Sequence, residues 1–281
     1  MQIVRSGEAL HALVGDLLGR RQRIGLVPTM GNLHAGHHSL VALARERADV
    51  VIASVFVNPT QFGPNEDFAR YPRTPDADAA GLAASGCDVL FLPPVEDMYP
   101  YGIARSVRVS VPELPEVLEG AIRPGHFDGV ATVVAKLFNR VRPHVAVFGQ
   151  KDYQQLLVIR RLARDLGYPI EIAAAPIVRE SNGLAMSSRN QYLSGQQRSQ
   201  ASAIHATLQR MAAEVRSGRP IAEVEADAVA GLQQAGFVPD YAVIRRADDL
   251  REPAASDRGL VALIAARLGS TRLIDNFIID L

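Results

Sequence analysis

Short apolar segments alternate with helix-forming segments over residues 1–177 of this chain. The apolar segments read IGLVP, VVIASVFV, DVLFLP, VAVFG and IEIAAAP. The clearest helix pattern lies between the third and fourth of them, where apolar residues from Val130 to Val141 recur at helical spacing. Because strands connected by helices are buried on both faces, the pattern predicts an α/β fold: a Rossmann-like parallel sheet with helices on both faces.

The pattern changes after residue 177. Two helical segments, 195–217 and 221–235, precede three short strands that read YAVIR, VALIAARL and RLIDNFIID. Helices followed by neighbouring strands predict a smaller α+β domain with an antiparallel sheet. We therefore expect two domains, 1–177 and 178–281.

Charge and composition exclude some classes of partner. Of 281 residues, 48% are hydrophobic and 21% are charged, and 30 basic residues balance 30 acidic ones. A nucleic-acid-binding surface normally shows a basic excess or stripe. We therefore expect an enzyme that acts on small molecules and has no nucleic-acid partner.

The cysteine content and the N-terminal residues bear on the cellular compartment. The single cysteine, Cys87, lies in the apolar run GCDVLFLPP and is expected to be a small buried residue. The first residues, MQIVRSGEALHAL, lack the layout of a signal peptide, and the apolar stretches are too short to span a membrane. We expect a cytoplasmic protein with no membrane partner.

The segment PTMGNLHAGH, Pro28 to His37, follows the first predicted strand and leads into a helix pattern. Gly31 and Gly36 let the backbone approach an anion closely, and the N–H groups at a helix start favour negative charge. His34 and His37 lie where their rings could donate hydrogen bonds to phosphate oxygens. The motif is also compatible with a capping loop that carries two surface imidazoles, or with half of a metal site.

Two further segments carry groups that suit phosphate. GQKD, Gly149 to Asp152, follows a strand and opens a helix, at the strand edge where ligands bind in open α/β sheets. MSSRN, Met186 to Asn190, places two hydroxyls and a guanidinium on a loop. Together with HAGH, these segments indicate a site for a nucleotide.

The paired loops carry a family resemblance. A His-x-Gly-His loop after a strand and a distant Met-Ser-Ser-Arg loop resemble the HxGH nucleotidyltransferase superfamily, which includes class I aminoacyl-tRNA synthetases. Four longer strings are similar, in order and spacing, to the pantothenate synthetase (pantoate–β-alanine ligase) family: VNPTQFGPNEDFARYPRTPDAD, RPGHFDGV, FGQKDYQQL and LAMSSRNQYLS. The resemblance runs from about residue 20 to about residue 195 and continues more weakly toward the C-terminus.

The resemblance implies an ATP-dependent ligase that forms an amide bond. It implies condensation of (R)-pantoate with β-alanine to give pantothenate, AMP and pyrophosphate through a pantoyl-adenylate. It further implies ATP as co-substrate, Mg²⁺ accompanying the ATP, a homodimer, and a C-terminal domain that closes over the ATP site. Such closure would exclude water from a hydrolysable intermediate.

The same resemblance assigns site residues by matching motif positions. The expected catalytic residues are His34, His37, Lys151 and Arg189, with His37 as the proton donor. The expected ATP-binding residues are Met30, Gly31, Asn32, Leu33, His34, Ala35, Gly36, His37, Gly149, Gln150, Lys151, Asp152, Val178, Met186, Ser187, Ser188 and Arg189. Gln61 and Gln155 match the pantoate-binding glutamines, and Gln61 is also expected to bind β-alanine. The sequence assigns no metal ligands.

Several positions near these motifs have more than one interpretation. Tyr71 and Asp78 lie in a segment that covers the site in the family, and Asp78 is a candidate to orient the β-alanine ammonium or a magnesium shell. Ala77 stands where the family often has another acid, so a paired carboxylate is missing there. Arg123 and His126 of RPGHF could favour an anion or could stabilise a loop.

Five other residues are interpreted from their position. Asp152 could bond to a ribose hydroxyl or cap its helix, and Gln150 replaces a common Glu, a change expected to be mild. Asn58 is a candidate to assist pantoate binding. His38 matches no motif position and is expected to point elsewhere, and Lys136 lies off the apolar stripe and is expected to be a solvated charge.

Two rival functions share the phosphate motifs. An adenylyltransferase acting on a phosphate-bearing cofactor precursor would need additional Arg or Lys near the site, whereas Gln61 and Gln155 favour a polyol acid without phosphate. A non-catalytic nucleotide sensor is disfavoured because both phosphate loops keep their reactive side chains.

Overall fold

A computed structural model of the protein describes residues 1–64, 66 and 68–281, and these form two units. The first unit comprises residues 1–150 and 154–176, and the second comprises residues 151–153 and 177–281. None of the helices in the described part of the chain has both the length and the apolar character that a membrane span requires.

The first unit contains a six-stranded parallel sheet. Its strands are β1 (Gln2–Val4), β2 (Ile24–Thr29), β3 (Val50–Val55), β4 (Val89–Phe91), β5 (Val145–Gly149) and β6 (Glu171–Ala175). Its helices are α1 (Gly7–Gly19), α2 (Ala35–Arg45), α3 (Pro75–Ala84), α4 (Val95–Met98), α5 (Glu119–Ile122), α6 (His126–Val141) and α7 (Tyr153–Asp165). The strands lie in the order β1-β4-β3-β2-β5-β6.

The strand order reverses at β2, and this reversal positions the candidate site. β2 pairs with β3 on one side, where Leu26 lies opposite Ile52, and with β5 on the other side, where Leu26 lies opposite Ala146. In open α/β sheets, ligands bind beyond the carboxyl ends of the strands at such a reversal. The segment that follows β2 starts at Met30 and the segment that follows β5 starts at Gln150, so both start at this edge.

Both faces of this sheet are buried. Val51 and Ala53 of β3 pack with Leu40 of α2 and Leu82 of α3 in one apolar cluster. Ile52 points to the opposite face, because successive strand side chains alternate, and it is also fully buried. Helices α1 and α6 pack on each other, and α6 packs on β2. The predicted parallel sheet with covering helices is confirmed.

The second unit contains a three-stranded antiparallel sheet. Its helices are α8 (Gly195–Gln200), α9 (Ala203–Arg216) and α10 (Ile221–Gln234), and its strands are β7 (Val238–Arg246), β8 (Gly259–Leu268) and β9 (Thr271–Asp280). Leu208 of α9, Leu232 of α10 and Ile264 of β8 share one buried core. The predicted C-terminal antiparallel sheet is confirmed.

Two helices differ from their predicted extents. The helix predicted over 195–217 is two helices, α8 and α9. Ser202 Oγ donates to the Ser199 carbonyl at 2.7 Å, and such local side-chain-to-backbone bonds compete with the helical pattern. Helix α6 begins at His126, before the apolar stripe that predicted it, because that stripe starts at Val130, after the first turn.

Strand β1 and helix α1 have no counterpart among the predicted elements. Ser6 caps α1, since its Oγ accepts from the Ala9 N–H at 3.2 Å. Leu10, Val14 and Leu17 form the buried face of the helix. Their spacing is helical, so the sequence does contain this signal.

Two single-residue expectations have opposite outcomes. Cys87 is 4% exposed, as predicted for a small buried residue, and burial raises the pKa of its thiol. Lys136 is not the solvated charge that was predicted. Its Nζ donates to the Met98 carbonyl at 3.0 Å and lies 4.7 Å from the ring centroid of Tyr99. Desolvation lowers the pKa of Lys136.

Helix α6 packs closely on the 3₁₀ turn Pro59–Gln61, and Gly129 makes this approach possible. A Cβ at position 129 would press on the Thr60 carbonyl and lie 2.7 Å from the Cα of Gln61. We expect Gly129→Ala to lower the free energy of unfolding by about 1–3 kcal/mol, because backbone must move to admit the methyl group. Urea unfolding measures this change.

Gly15→Ala is the matched control for this prediction. Gly15 also lies within a helix, but no atom lies within 4 Å of its Cβ position. Alanine there is expected to raise the free energy of unfolding by up to about 1 kcal/mol. If Gly129→Ala proves equally harmless, the close packing of α6 is not a constraint on this fold.

Candidate active site

One buried carboxylate holds the loop between β2 and α2. Gly31 and Asn32 have positive φ angles of 86° and 51°, a backbone that aims successive N–H groups at an anion. The Asp78 carboxylate of α3 accepts from the Asn32 N–H at 3.0 Å and from the Leu33 N–H at 2.8 Å. A Cβ at position 31 would lie 2.9 Å from the same carboxylate. The turn therefore requires both the glycine and the acid.

The two residues predicted to cover the site are both buried. Asp78 is 3% exposed and Tyr71 is 6% exposed. Tyr71 packs edge-on against Phe62, with 5.6 Å between the ring centroids. A role of either residue toward β-alanine stays a prediction. Among residues 1–64, 66 and 68–281, no group of three or more His, Cys, Asp or Glu could hold a metal ion.

The two histidines of HAGH are held by their Nδ1 atoms. His34 Nδ1 accepts from the Gly36 N–H at 3.1 Å, and His37 Nδ1 accepts from the His34 N–H at 3.3 Å. A ring nitrogen that accepts carries no proton, so each neutral imidazole has its proton on Nε2. The ring centroids are 4.2 Å apart. Two Nε2–H donors at the start of α2 suit phosphate oxygens.

His38 does not join this pair. Its Nδ1 lies 2.8 Å from Ser85 Oγ, and a Cβ at Gly81 would lie 2.7 Å from its ring. The ring therefore packs on α3, in agreement with the prediction that it points elsewhere. Asp152 is exposed, and its choice between ribose and helix cap stays open.

Gln61 is oriented through its side-chain amide. Asn58 Nδ2 donates to Gln61 Oε1 at 3.1 Å, and Gln61 Nε2 donates to the Met30 Sδ at 2.9 Å. A thioether sulfur is a weak acceptor. Gln61 Nε2 can therefore exchange this partner for a stronger acceptor such as a carboxylate or hydroxyl oxygen.

Asn58 is the residue that fixes this amide. Its Oδ1 accepts from the Tyr99 hydroxyl at 2.6 Å and from the Thr60 hydroxyl at 3.0 Å. Its Nδ2 donates to the Gly129 carbonyl at 3.1 Å as well as to Gln61. The hydroxyl donors on one side and the carbonyl acceptor on the other assign the orientation of the Asn58 amide. Its contacts therefore orient Gln61, and a direct contact with pantoate stays a prediction.

Two adjacent glutamines of α7 have different surroundings. Gln154 is 3% exposed, and its Nε2 donates to the carbonyls of Leu114 at 2.6 Å and Val117 at 2.8 Å. Gln155 is half-buried, and its amide makes no side-chain hydrogen bond within the described residues. Gln154 therefore braces the fold, and a role of Gln155 toward pantoate stays a prediction.

In the second unit, the predicted ATP-binding residues after position 177 lie together. The chain folds back on itself so that the Met186 N–H donates to the Val178 carbonyl at 2.9 Å. Ser187 Oγ then accepts from the Arg189 N–H at 3.2 Å and starts a short 3₁₀ helix. This turn carries the two hydroxyls and the guanidinium of MSSRN.

Lys151 belongs to the same unit as this turn. Asn276 Nδ2 of β9 donates to the Lys151 carbonyl at 2.9 Å. Burial lowers the pKa of the Lys151 ammonium, and the charge of Arg189 lowers it further, while Asp152 and Asp275 act in the opposite sense. Lys151 and Arg189 repel each other, and this repulsion is stronger where water is partly excluded. Such a pair of cations favours a polyanionic ligand.

Asp275 has a structural role and lies outside the sequence motifs. It is 4% exposed and accepts from both Nη atoms of Arg179, at 2.6 and 3.0 Å. Arg179 Nη1 also donates to the Gly183 carbonyl at 3.1 Å. This ion pair ties the loop before MSSRN to β9. The available sequence signal is an acid inside the apolar strand RLIDNFIID.

Comparison with known proteins identifies one family over almost the whole chain. The sequence model of the Pantoate-beta-alanine ligase family matches residues 2–278. The chain belongs to this family. The pantothenate synthetase of Stenotrophomonas maltophilia (strain R551-3) is 59% identical over 268 residues, 95% of this chain and 96% of that protein. The pantothenate synthetase of Xanthomonas axonopodis pv. citri (strain 306) is 60% identical over 277 residues, 98% of this chain and 99% of that protein.

Solved structures lead to the same family. The pantothenate synthetase of Thermus thermophilus is 46% identical, with a TM-score of 0.92 over 99% of each chain. The pantoate-beta-alanine ligase of Francisella tularensis, complexed with beta-gamma ATP and beta-alanine, is 34% identical, with a TM-score of 0.83 over 99% of this chain and 97% of that one. The predicted family and ATP-dependent ligase class are confirmed, and the rival adenylyltransferase has no support from these relatives.

An isosteric substitution of Asp78 tests whether its hydrogen bonds stabilise the loop between β2 and α2. Asp78→Asn replaces one carboxylate oxygen by an NH₂ group that faces a backbone N–H. We expect the free energy of unfolding to fall by about 1–3 kcal/mol, because a buried donor loses its acceptor. Asp76→Asn is the control, since Asp76 is exposed in the same helical turn and should cost less than about 1 kcal/mol. Equal losses in urea unfolding would refute the assigned role.

Proposed function

We propose that this chain condenses (R)-pantoate with β-alanine, with cleavage of ATP to AMP and pyrophosphate, through a pantoyl-adenylate. The family match over residues 2–278 carries the proposal. The geometry of the phosphate-binding loops supports it. The solved Francisella relative is complexed with beta-gamma ATP and beta-alanine, which fits the same pair of substrates.

The chemistry requires activation of a carboxylate in water. A pantoate carboxylate oxygen attacks the α-phosphorus of ATP, the bond to the bridging oxygen breaks, and pyrophosphate leaves. The β-alanine amine then attacks the acyl carbon, AMP departs, and the amine loses a proton. Negative charge develops on the phosphates during the first step, so preorganised donors and cations supply the main stabilisation.

In the first unit, we assign the phosphate contacts to the loop between β2 and α2. His34 and His37 present Nε2–H donors, and His37 acts as the proton donor. The backbone from Met30 to Gly36, together with Gly149 at the end of β5 and Gln150 after it, approaches the nucleotide at the strand-order reversal. The N-terminus of α2 adds its own positive field.

In the second unit, Lys151 and Arg189 supply positive charge for phosphate oxygens. The hydroxyls of Ser187 and Ser188 add donors to phosphate oxygens. Met186 and Val178 pack against adenine or bond to it through backbone groups, and Asp152 bonds to a ribose hydroxyl.

Pantoate is assigned to the two glutamines. An amide both donates and accepts, which suits one carboxylate and two hydroxyls. Gln61 Nε2 exchanges its thioether partner for a substrate oxygen, and Gln155 bonds with an amide that the described fold leaves unused. Gln61 also contacts β-alanine, with Tyr71 and Asp78 as further candidates.

Magnesium enters with the ATP in this proposal. Mg²⁺ is commonly held by substrate phosphates and water, and the described side chains supply no metal cluster of their own. The homodimer remains a prediction from the family resemblance, and the cytoplasmic location remains a prediction from the sequence.

Isotope exchange tests the proposed intermediate. Because adenylation is complete before β-alanine reacts, pantoate alone should support exchange of labelled pyrophosphate into ATP. Omitting pantoate is the control and should abolish exchange. Exchange that strictly requires β-alanine would contradict a separate pantoyl-adenylate.

Removal of one cation tests the assignment of the phosphate contacts. Lys151→Ala should slow adenylation by roughly 10²–10³-fold in single-turnover measurements, the usual loss for one transition-state donor. The matched control is Arg160→Ala, which removes an exposed charge from α7 and should leave the rate normal. Normal adenylation by Lys151→Ala, or an equal loss in both variants, would show that Lys151 does not serve the phosphates.

A further inference from the structure

The RPGHF segment supplies two side chains that the proposed chemistry does not use. His126 Nδ1 lies 2.8 Å from the Gln61 carbonyl oxygen. Arg123 Nη1 lies 3.0 Å from His126 Nε2. A carbonyl only accepts and a guanidinium only donates, so His126 is a neutral imidazole that donates from Nδ1 and accepts at Nε2.

Arg123 is itself anchored. Its Nε and Nη2 donate to the two carboxylate oxygens of Glu66 at 2.6 and 2.7 Å. Burial raises the pKa of Glu66, but the hydrogen bond and charge of Arg123 outweigh it, and the net pKa is lowered. This bidentate ion pair fixes the plane of the guanidinium. The position of the His126 ring is therefore determined from both sides.

The neutral state of His126 holds over the physiological range. Burial lowers its pKa to about 4, and the charge of Arg123 acts in the same direction. The hydrogen bond to Gln61 and the carboxylates of Glu66 and Glu119 oppose the shift without cancelling it. The ring is therefore present in one protonation state when the enzyme works, and its Nδ1–H bond does not switch with pH near neutrality.

Gln61 is thus held at both ends. Asn58 orients its side-chain amide, and His126 binds its backbone carbonyl. Gly129 of α6, the helix that begins at His126, touches the same 3₁₀ turn. A shift of the Gln61 backbone would move the amide that we assign to pantoate.

We propose that His126 is a positioning residue for pantoate binding: its Nδ1–H bond to the Gln61 carbonyl sets the place of the Gln61 amide, and the Arg123–Glu66 ion pair sets the place of His126. This inference rests on the proposed function, because it takes Gln61 to contact pantoate. His126 itself is assigned no contact with the substrate. Its effect is on geometry, where a misplacement of one ångström can cost about 100-fold.

Two variants of matched size and polarity separate the two ring nitrogens. In His126→Asn, the amide nitrogen takes the place of Nδ1 and keeps the bond to Gln61. In His126→Gln, the amide reaches the position of Nε2 and leaves the Gln61 carbonyl without this donor. We expect His126→Gln to raise the KM for pantoate about tenfold and to change the KM for ATP by less than about twofold. His126→Asn should stay within about threefold of wild type for pantoate.

A double variant tests whether His126 acts through Gln61. Gln61→Ala should raise the KM for pantoate, and adding His126→Gln to it should raise that KM no further, because the positioned amide is already gone. Independent, multiplicative effects would overturn the inference. So would equal pantoate KM values for His126→Asn and His126→Gln, or a parallel rise of both KM values.

Failure of the proposed function gives a different result. If wild type forms no pantothenate, or if Gln61→Ala leaves the KM for pantoate unchanged, the substrate assignment is wrong. If both of those controls behave as expected and the His126 variants do not, only the positioning role falls. Circular dichroism of each variant confirms that the measured protein is folded.

Discussion

Two consecutive backbone N–H groups, turned inward by positive φ angles at Gly31 and Asn32, require an acceptor inside the protein. Asp78 supplies one oxygen to each of the N–H groups of Asn32 and Leu33. Because α3 packs on α2 and α2 packs on the sheet, this carboxylate joins the loop to the apolar core. The start of α2, and the histidines on it, are therefore placed by folding rather than by the ligand.

The same arrangement recurs around the other candidate residues. His34 and His37 are held through Nδ1, the nitrogen that faces the backbone, while Nε2 carries the proton. Asn58 orients Gln61, and Asn276 holds the backbone of Lys151. In each case the protein holds the residue through one atom, and a different atom of the same residue is assigned to the substrate. Such preorganisation lets donors stabilise developing charge without rearranging during the reaction.

The parts that the sequence predicts well are those with local signals. Strong apolar runs marked β2 to β6, and the motifs HAGH, GQKD and MSSRN marked the segments that carry reactive side chains. The supporting contacts join residues far apart in sequence: Asn32 and Asp78 are separated by 46 positions, and Arg179 and Asp275 by 96. No periodicity or motif spacing specifies such pairs. They depend on the strand order and on which helix covers which loop.

Lys136 shows why the solvent exposure of a helix residue is hard to predict from the apolar stripe of its helix. The apolar stripe of α6 indicates which side chains face the sheet. It does not indicate which neighbouring segments cover the edges of the helix. Tyr99 covers one edge, lies 4.7 Å from the Lys136 ammonium, and donates its hydroxyl proton to Asn58, which bonds to Gln61. A cation on an aromatic face contributes about 0.5–2 kcal/mol. The charge at the edge of α6 is thus the outer end of a polar chain that leads to the candidate pantoate residue.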